Sequence, residues 1–187
     1  MKQQEVLDLL ERVGAITNGH FVLSSGRHSD LYAEKFRALE RPEVARTLGA
    51  EIASKFDGST IDVVLAPAVG AIVLGSYVAL ALGARSIFAE RKDGEMTLRR
   101  GFEIKPGERV LVVEDVITTG GSVKEVIDLV PHEQLVGVGL LLDRSGGADL
   151  GARTECLAKL DAESWEPENC PLCREGGTPQ SPGSHFL

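Results

Sequence analysis

The sequence predicts an α/β fold in which a central, mostly parallel sheet is flanked by helices. Short apolar runs such as residues 110–113 lack polar alternation, which is typical of strands buried on both faces of a parallel sheet. These runs alternate with amphipathic segments of helical length, and that alternation indicates right-handed βαβ units. With 187 residues, 43% of them hydrophobic and 26% charged, the chain has the length and composition of one globular domain.

The first 40 residues predict a small hood that precedes the core. An amphipathic helix with Val6 and Leu10 on its buried face ends at Gly14. Two extended pieces, at residues 21–23 and 31–35, then flank a polar turn, which predicts a hairpin. The hairpin carries groups able to bind a planar acidic ligand, although a surface hairpin with solvated charges would have a similar composition. These groups are His20, Arg27, His28, Tyr32 and Lys35.

Residues 41–160 predict the core. Pro42 begins a helix that runs to about Lys55, because proline costs nothing in the first helical turn. An apolar helix at 71–82 and an amphipathic helix after Ser122 follow two of the strands. Strands are predicted at residues 61–66, 86–90, 110–114, 135–143 and, at the sheet edge, 154–160. We therefore predict one domain over residues 1–165, with a hood at 1–40 and a core at 41–160.

Residues 166–187 are predicted to lie outside that domain. They contain Cys170-Pro-Leu-Cys173 and then a Gly-, Pro- and Ser-rich stretch, which predicts a flexible tail. The two cysteines form half of a zinc ligand set, with only Cys156 and His185 as conceivable partners. A redox or merely structural pair of cysteines is the favoured interpretation, so no protein metal ligand is assigned.

Residues 109–122, Arg-Val-Leu-Val-Val-Glu-Asp-Val-Ile-Thr-Thr-Gly-Gly-Ser, carry the strongest signal for chemistry. The strand ends in Glu114 and Asp115, and the Thr/Gly loop after it lets backbone N–H groups converge on an anion such as phosphate. Two acids beside a phosphate would repel it unless a cation or a hydroxylated group lies between them. A sugar phosphate solves this problem, because its diol can donate to the acids while its phosphate occupies the loop.

Four polar segments follow predicted strands, at residues 67–71, 90–92, 114–122 and 143–144. In open parallel sheets ligands bind beyond the carboxyl ends of the strands, where the strand order reverses. The four segments therefore predict a single site. Residues 91–101 are rich in charge and contain two glycines, so we interpret them as a mobile flap over that site, with an exposed hairpin as the open alternative.

Composition excludes several classes of partner. A net charge of −8 and a pI near 5.1 argue against nucleic acid or an anionic membrane, since either favours a basic surface. The N-terminus has no signal-peptide pattern, and no apolar run reaches the roughly 20 residues of a membrane span. We expect a cytoplasmic protein, and three cysteines, an odd number, do not form a disulfide framework.

The stretch at 109–122 resembles the phosphoribosyl pyrophosphate (PRPP) signature of type I phosphoribosyltransferases. The hood segment 19–29, the form Asp115-Val-Ile-Thr-Thr-Gly and Leu142-Asp143-Arg144 resemble the orotate phosphoribosyltransferase family in particular. The resemblance implies that PRPP and orotate give orotidine 5′-monophosphate and pyrophosphate in pyrimidine synthesis. It also implies Mg²⁺ bound with PRPP, and a homodimer in which the flap enters the neighbouring subunit's site.

The resemblance also assigns residues by position. It implies catalytic roles for Arg91, Lys92 and Asp115, and orotate binding by Thr118 and Arg144, whose hydroxyl and guanidinium suit a planar carboxylate. The PRPP ligands it implies are Arg91, Lys92, Glu114, Asp115, Val116, Ile117, Thr118, Thr119, Gly120, Gly121 and Ser122.

The chain departs from the better-known bacterial pattern of this family at three places. The flap is shorter and lacks a further lysine and a histidine, and Arg99 and Arg100 are the candidates to replace their charge. No lysine follows Pro67-Ala68, and Ser24 stands in place of a hood lysine. Alternatives that remain open are a purine or uracil phosphoribosyltransferase and a PRPP-sensing regulator on the same fold.

Overall fold

The computed structural model describes residues 1–23, 25–160 and 163–181. The strands in these ranges are β1 (Ile16–Val22), β2 (His28–Ala33), β3 (Val63–Pro67), β4 (Arg85–Lys92), β5 (Glu95–Leu98), β6 (Val110–Ile117), β7 (Leu135–Asp143), β8 (Thr154–Lys159) and β9 (Ser164–Trp165). The α-helices are α1 (Gln3–Arg12), α2 (Phe36–Leu39), α3 (Pro42–Ser54), α4 (Ala71–Leu82), α5 (Gly121–Ile127) and α6 (Pro171–Arg174). No helix of the described residues has both the length and the apolar character to cross a membrane.

A six-stranded sheet with the order β5-β4-β3-β6-β7-β8 forms the centre of the molecule. The pairs β4–β3, β3–β6, β6–β7 and β7–β8 are parallel, and only β5 is antiparallel to its neighbour. The predicted mostly parallel sheet is therefore confirmed. Strand order reverses between β3 and β6, which are adjacent although α4, β4 and β5 separate them in the chain.

Both faces of the sheet are covered, which explains the continuous apolar runs. Leu111 and Val113 of β6 pack into a core with α1, α3 and α4. Val110 and Val112 point the other way, into a second core that includes residues of α5. Side chains alternate between faces along a strand, so a strand covered on both sides needs apolar residues at every position.

The hood is a separate three-stranded sheet with the order β1-β2-β9. The predicted hairpin is confirmed, with Gly26 at a φ of +81° in its turn, a conformation that side chains other than glycine rarely adopt. Its strands begin earlier than predicted, because polar residues at the start of β1 pair through their backbones with the end of β2. Backbone pairing of this kind leaves no apolar pattern in the sequence.

Residues 163–181 contact the hood, although the sequence predicts that residues 166–187 lie outside the domain and that the Gly-, Pro- and Ser-rich stretch from residue 176 is flexible. β9 pairs with β2, and Gln180 forms a bridge to Phe21 of β1. The Val22 amide donates to the Gln180 carbonyl at 2.8 Å, and the Gln180 amide donates to the His20 carbonyl at 2.7 Å. Residues 163–180 therefore extend the hood, whereas residues 182–187 of the predicted tail lie outside the described residues. The division of the chain into domains stays a prediction.

Candidate active site

A pocket of about 550 Å³ lies at the carboxyl ends of β3 and β6, where the strand order reverses. This is the location at which open parallel sheets bind ligands. Three of the four predicted polar segments contribute to its wall. The lining residues are Lys35, Pro67, Ala68, Val69, Gly70, Glu90, Arg91, Met96, Glu114, Asp115, Val116 and Ser122.

A smaller pocket of about 70 Å³ continues from the first along the loop between β6 and α5. Glu114, Val116 and Ser122 line both pockets. Thr118, Thr119, Gly121 and Ser122 are exposed, so their hydroxyl and amide groups are available to a ligand. Residues 116–123 supply the rest of the lining.

Gly120 gives the loop this shape for two reasons. Its φ is +79°, in the left-handed region that side chains other than glycine rarely adopt. A Cβ at this position would also lie 2.8 Å from the Leu150 Cδ2 atom. A larger residue would therefore strain the backbone and require the Leu150 side chain to move.

Asp115 carries the central charge of the larger pocket. Its side chain is 1% exposed, and the Lys35 ammonium lies 2.9 Å from Oδ1 and 2.9 Å from Oδ2. The Val116 amide donates to Asp115 Oδ1 at 2.6 Å. Lys35 follows β2 and lies 80 residues before Asp115, so the hood contributes a cation directly to the core's acid pair.

Glu114 lies beside Asp115 and is only 8% exposed. Its Oε1 atom accepts a hydrogen bond from the Asp115 amide at 3.0 Å. Burial raises the pKa of Glu114 to about 8, and the neighbouring Asp115 charge adds to the effect. A protonated Glu114 places one negative charge instead of two in the pocket, and it offers both a donor and an acceptor to a hydroxylated ligand.

Gly70 lets the loop after β3 approach this acid–lysine pair. A Cβ on Gly70 would lie 2.2 Å from Asp115 Oδ2 and 2.6 Å from Lys35 Nζ. Only glycine fits so close to the two side chains without displacing them. The peptide between Ala68 and Val69 in the same loop is cis.

The predicted flap is a β-hairpin formed by β4 and β5, as in the exposed-hairpin alternative. Asp93 and Gly94 both have positive φ, at 53° and 91°, as a two-residue hairpin turn requires. Arg91 lines the pocket of its own chain and forms an ion pair with Glu125 at 2.8 Å. Lys92, the last residue of β4, is exposed.

Arg99 and Arg100 contact a pocket residue rather than the pocket itself. Arg99 Nη1 lies 3.5 Å from Glu90 Oε1, and Arg100 Nη2 lies 3.1 Å from Glu90 Oε2. Both arginine side chains are about half exposed. Their charge therefore offsets Glu90 at the rim.

Arg144 follows β7 and adjoins the Thr/Gly loop through its backbone. Its amide donates to the Ile117 carbonyl at 2.9 Å, one residue before Thr118. The side chain is half-buried, and burial lowers the pKa of Arg144. Arg144 is not part of the lining of either pocket described above.

The chain is similar to proteins of a known family over its whole length. Residues 38–150 match the model of the phosphoribosyl transferase domain family. Orotate phosphoribosyltransferase of Caldanaerobacter subterraneus is 50% identical over 190 residues, covering 100% of both chains. The orotate phosphoribosyltransferase of Thermotoga maritima is 49% identical over 185 residues, covering 97% of this chain and 99% of the relative.

The chain belongs to the orotate phosphoribosyltransferase family.

A solved structure agrees with this assignment. Orotate phosphoribosyltransferase of Mycobacterium tuberculosis in complex with PRPP has a TM-score of 0.64 and 28% identity. The match covers 84% of this chain and 96% of the other. The family has the α/β fold that the sequence predicts.

The structure brings together most residues that the resemblance to this family assigns to PRPP. Glu114, Asp115 and the loop at 116–122 line two adjoining pockets, and Arg91 also lines the larger one. Lys92 directly follows Arg91 in the chain, and the Arg144 amide donates to the Ile117 carbonyl, but neither residue lines these two pockets. The roles of all these residues stay predictions.

Sequence reasoning missed two features of the hood. Lys35 was grouped with ligands of a planar acid, but it binds Asp115. His20 and His28, from the same group, lie against Cys170 and Cys173 instead. Ser24 is outside the described residues. No local sequence pattern predicts these contacts, because each joins residues that are far apart in the chain.

Proposed function

We propose that this protein is an orotate phosphoribosyltransferase, which transfers the phosphoribosyl group of PRPP to orotate and releases pyrophosphate. One observation carries the proposal: the buried acids Glu114 and Asp115 and the Thr/Gly loop line adjoining pockets at the place where the strand order of the sheet reverses. An acid pair suits a ribose diol, and the loop suits its 5-phosphate. The relatives' names supply the identity of the base.

The reaction requires little covalent chemistry from the protein's side chains. Displacement at the anomeric carbon builds positive charge on the ribose, which the Asp115 carboxylate can stabilise from a buried position. Glu114 and Asp115 would orient the ribose hydroxyls, and the loop at 118–122 would anchor the phosphate. Holding both substrates in line and excluding water then supply most of the rate enhancement.

We propose that Mg²⁺ enters as part of the substrate complex with PRPP. The oxygen donors of Glu114 and Asp115 are of the kind that Mg²⁺ prefers. However, Lys35 pairs with Asp115 and donates to its Oδ1 atom, and although Oδ2 accepts no hydrogen bond among the described residues, one such oxygen beside a buried Glu114 is not a cage for Mg²⁺. Protein side chains would therefore position the complex rather than enclose the ion.

Both subunits of a dimer would supply cations to the departing pyrophosphate. Lys35 and Arg91 line the pocket of their own chain, and Lys35, which pairs with Asp115, would take the place of the lysine missing after Pro67-Ala68. Lys92 is exposed at the end of the hairpin. We propose a homodimer in which this end of the hairpin reaches the neighbouring subunit's pyrophosphate. Arg91, which the resemblance also assigned to the neighbour, would serve its own site.

A panel of bases tests the proposed activity. Pyrophosphate release from PRPP and Mg²⁺ is expected with orotate and to be at least about a hundredfold slower with uracil, hypoxanthine or adenine, because a site built for charged hydrogen bonds rejects bases that lack the partner group. Comparable turnover with any of the other three bases would refute the orotate assignment. No release with any base would refute the enzyme and favour a PRPP-binding regulator.

Replacing Arg144 tests the proposed orotate contact. Arg144→Ala is expected to raise the orotate KM at least about tenfold, because a lost charge-assisted hydrogen bond costs roughly 1.5–3 kcal/mol. The KM for PRPP should change less than twofold by the same reasoning, since the loop at 118–122 is intact. Arg46→Ala, at an exposed position of α3, is the matched control. An unchanged orotate KM would remove Arg144 from the site.

A further inference from the structure

The hood holds a cluster of two histidines and two cysteines that the proposed reaction does not use. His20 lies on β1 and His28 is the first residue of β2. Cys170 directly precedes α6, and Cys173 lies within that helix. Their potential ligand atoms all lie within 4.8 Å of one another. We infer that His20, His28, Cys170 and Cys173 form a structural zinc site that fastens the 163–181 segment to the hood.

The distances fit tetrahedral coordination. Bonds of about 2.3 Å to sulfur and 2.0 Å to nitrogen put tetrahedral ligand atoms roughly 3.3–3.8 Å apart. His20 Nε2 lies 3.0 Å from His28 Nδ1 and 3.4 Å from Cys170 Sγ. Cys173 Sγ lies 3.7 Å from His20 Nε2 and 3.3 Å from His28 Nδ1. The other two pairs, Cys170 with Cys173 and Cys170 with His28, lie within 4.8 Å, so four of the six separations are close to those of tetrahedral zinc ligands.

A β-hairpin and a short helix position the four potential ligands. Val22 pairs with His28 across the hairpin, which brings His20 and His28 to the same end of the two strands, and their rings pack edge-on with centroids 5.0 Å apart. Cys170 and Cys173 are three residues apart at a helical turn, so their side chains share one face. A Cys-x-x-Cys turn facing two histidines is a common zinc arrangement.

Burial of the cluster argues that something holds it together. Cys170 is fully buried and His28 is 7% exposed. His20 Nδ1 is buried and has no hydrogen-bond partner among the described residues, while Nε2 is directed at the other three ligands. A buried polar atom without a partner costs free energy. Zinc bound at Nε2 would leave Nδ1 without a partner, but the free energy of zinc binding would compensate for that cost.

The donor set also identifies the class of metal. Two thiolates and two imidazoles are soft to intermediate ligands that select Zn²⁺ rather than Mg²⁺. Four protein ligands leave no open position for a substrate, which is typical of a structural rather than a catalytic ion. Cys156, which the sequence offered as a partner, lies on β8 with its Sγ atom 2.9 Å from the Ala158 carbonyl oxygen. His185 lies outside the described residues.

Metal analysis of the untagged full chain tests the site. The wild-type protein is expected to contain about one zinc per chain, measured by elemental analysis after purification without chelator. The double variant Cys170→Ser/Cys173→Ser should lose it, whereas Cys156→Ser and His132→Ala should keep it. These two controls remove a cysteine and a histidine outside the cluster.

Cobalt binding by the wild-type chain gives a readout that does not depend on whether any variant folds. Chelator-treated wild-type protein titrated with Co²⁺ should saturate at one equivalent, with thiolate-to-metal charge-transfer bands and the intense visible bands of tetrahedral cobalt. His20→Gln and His28→Gln should each weaken Co²⁺ binding at least tenfold, since even an outer hydrogen-bond partner of a ligand contributes about 10–100-fold. Zinc removal should lower the wild-type Tm by at least about 5 °C.

Two results would overturn the inference. The first is wild-type protein that contains no metal and, after full reduction, binds Co²⁺ without thiolate bands. The second is a Cys170–Cys173 disulfide in the isolated protein that, once reduced, still fails to bind zinc, which would identify a redox pair. Neither result affects the proposed transferase activity, because the test measures no turnover.

Discussion

Asp115→Asn is expected to lower kcat/KM for PRPP by about a thousandfold, the scale on which one preorganised electrostatic group acts. The carboxylate is buried, pairs with Lys35 and faces the pocket where ribose charge would develop. Asparagine keeps the volume and can still accept from the Val116 amide, so the fold should persist. The loss should fall mainly on kcat, because the charge matters most in the transition state.

Steady-state kinetics with orotate saturating would measure this effect. Asp128→Asn is the matched control, since Asp128 is an exposed aspartate just after α5, and it should retain wild-type rates. Far-UV circular dichroism would verify that both variants are folded. Retention of more than a tenth of wild-type kcat by Asp115→Asn would show that the carboxylate is not the group that stabilises the ribose.

A mixture of two inactive variants, Lys92→Ala and Asp115→Asn, is expected to recover about a quarter of wild-type activity. Random exchange of subunits makes half of the dimers mixed. If the hairpin acts on the neighbour, one site of each mixed dimer has an intact Asp115 and receives an intact Lys92. The expected gain is large because each parent should be nearly inactive: Lys92 is proposed to supply charge to the leaving group, and groups in that role contribute about 10²–10³-fold.

The mixing experiment needs proof of exchange and a negative control. Differently tagged subunits would report exchange by co-purification. Gly70→Ala mixed with Asp115→Asn should recover no activity. Gly70 and Asp115 belong to the same pocket, where a Cβ on Gly70 would meet Asp115, so each substitution disables the pocket of the subunit that carries it and neither site of a mixed dimer is intact. Demonstrated exchange without recovery in the Lys92→Ala mixture would mean that the hairpin acts on its own site.

The sequence predicted the core because its signals are local. The apolar run of β6, the two acids and the Thr/Gly loop are contiguous, and their burial and pocket positions follow from one strand and one turn. Strand ends were less accurate: β6 continues to Ile117, because Val116 and Ile117 pair with β7. Partners on a neighbouring strand determine where pairing stops.

Contacts across the hood could not be predicted from local signals. Lys35 approaches Asp115 over 80 residues of chain, and Cys173 approaches His28 over 145. A lysine beside a hairpin and two histidines within it have the same local pattern whether they bind a substrate, a carboxylate or a metal. Only the packing of the hood on the core separates these possibilities.

The place of β9 in the hood has a consequence for how the molecule is made. β1 and β2 leave the ribosome long before β9, whose neighbour Glu163 accepts a hydrogen bond from Ser29 across 134 residues. Until then the outer edge of β2 has unpaired backbone groups, a surface that invites association with other nascent chains. Truncation before residue 163 would leave that edge permanently open. We therefore expect such shortened chains to aggregate even though every strand of the central sheet is present.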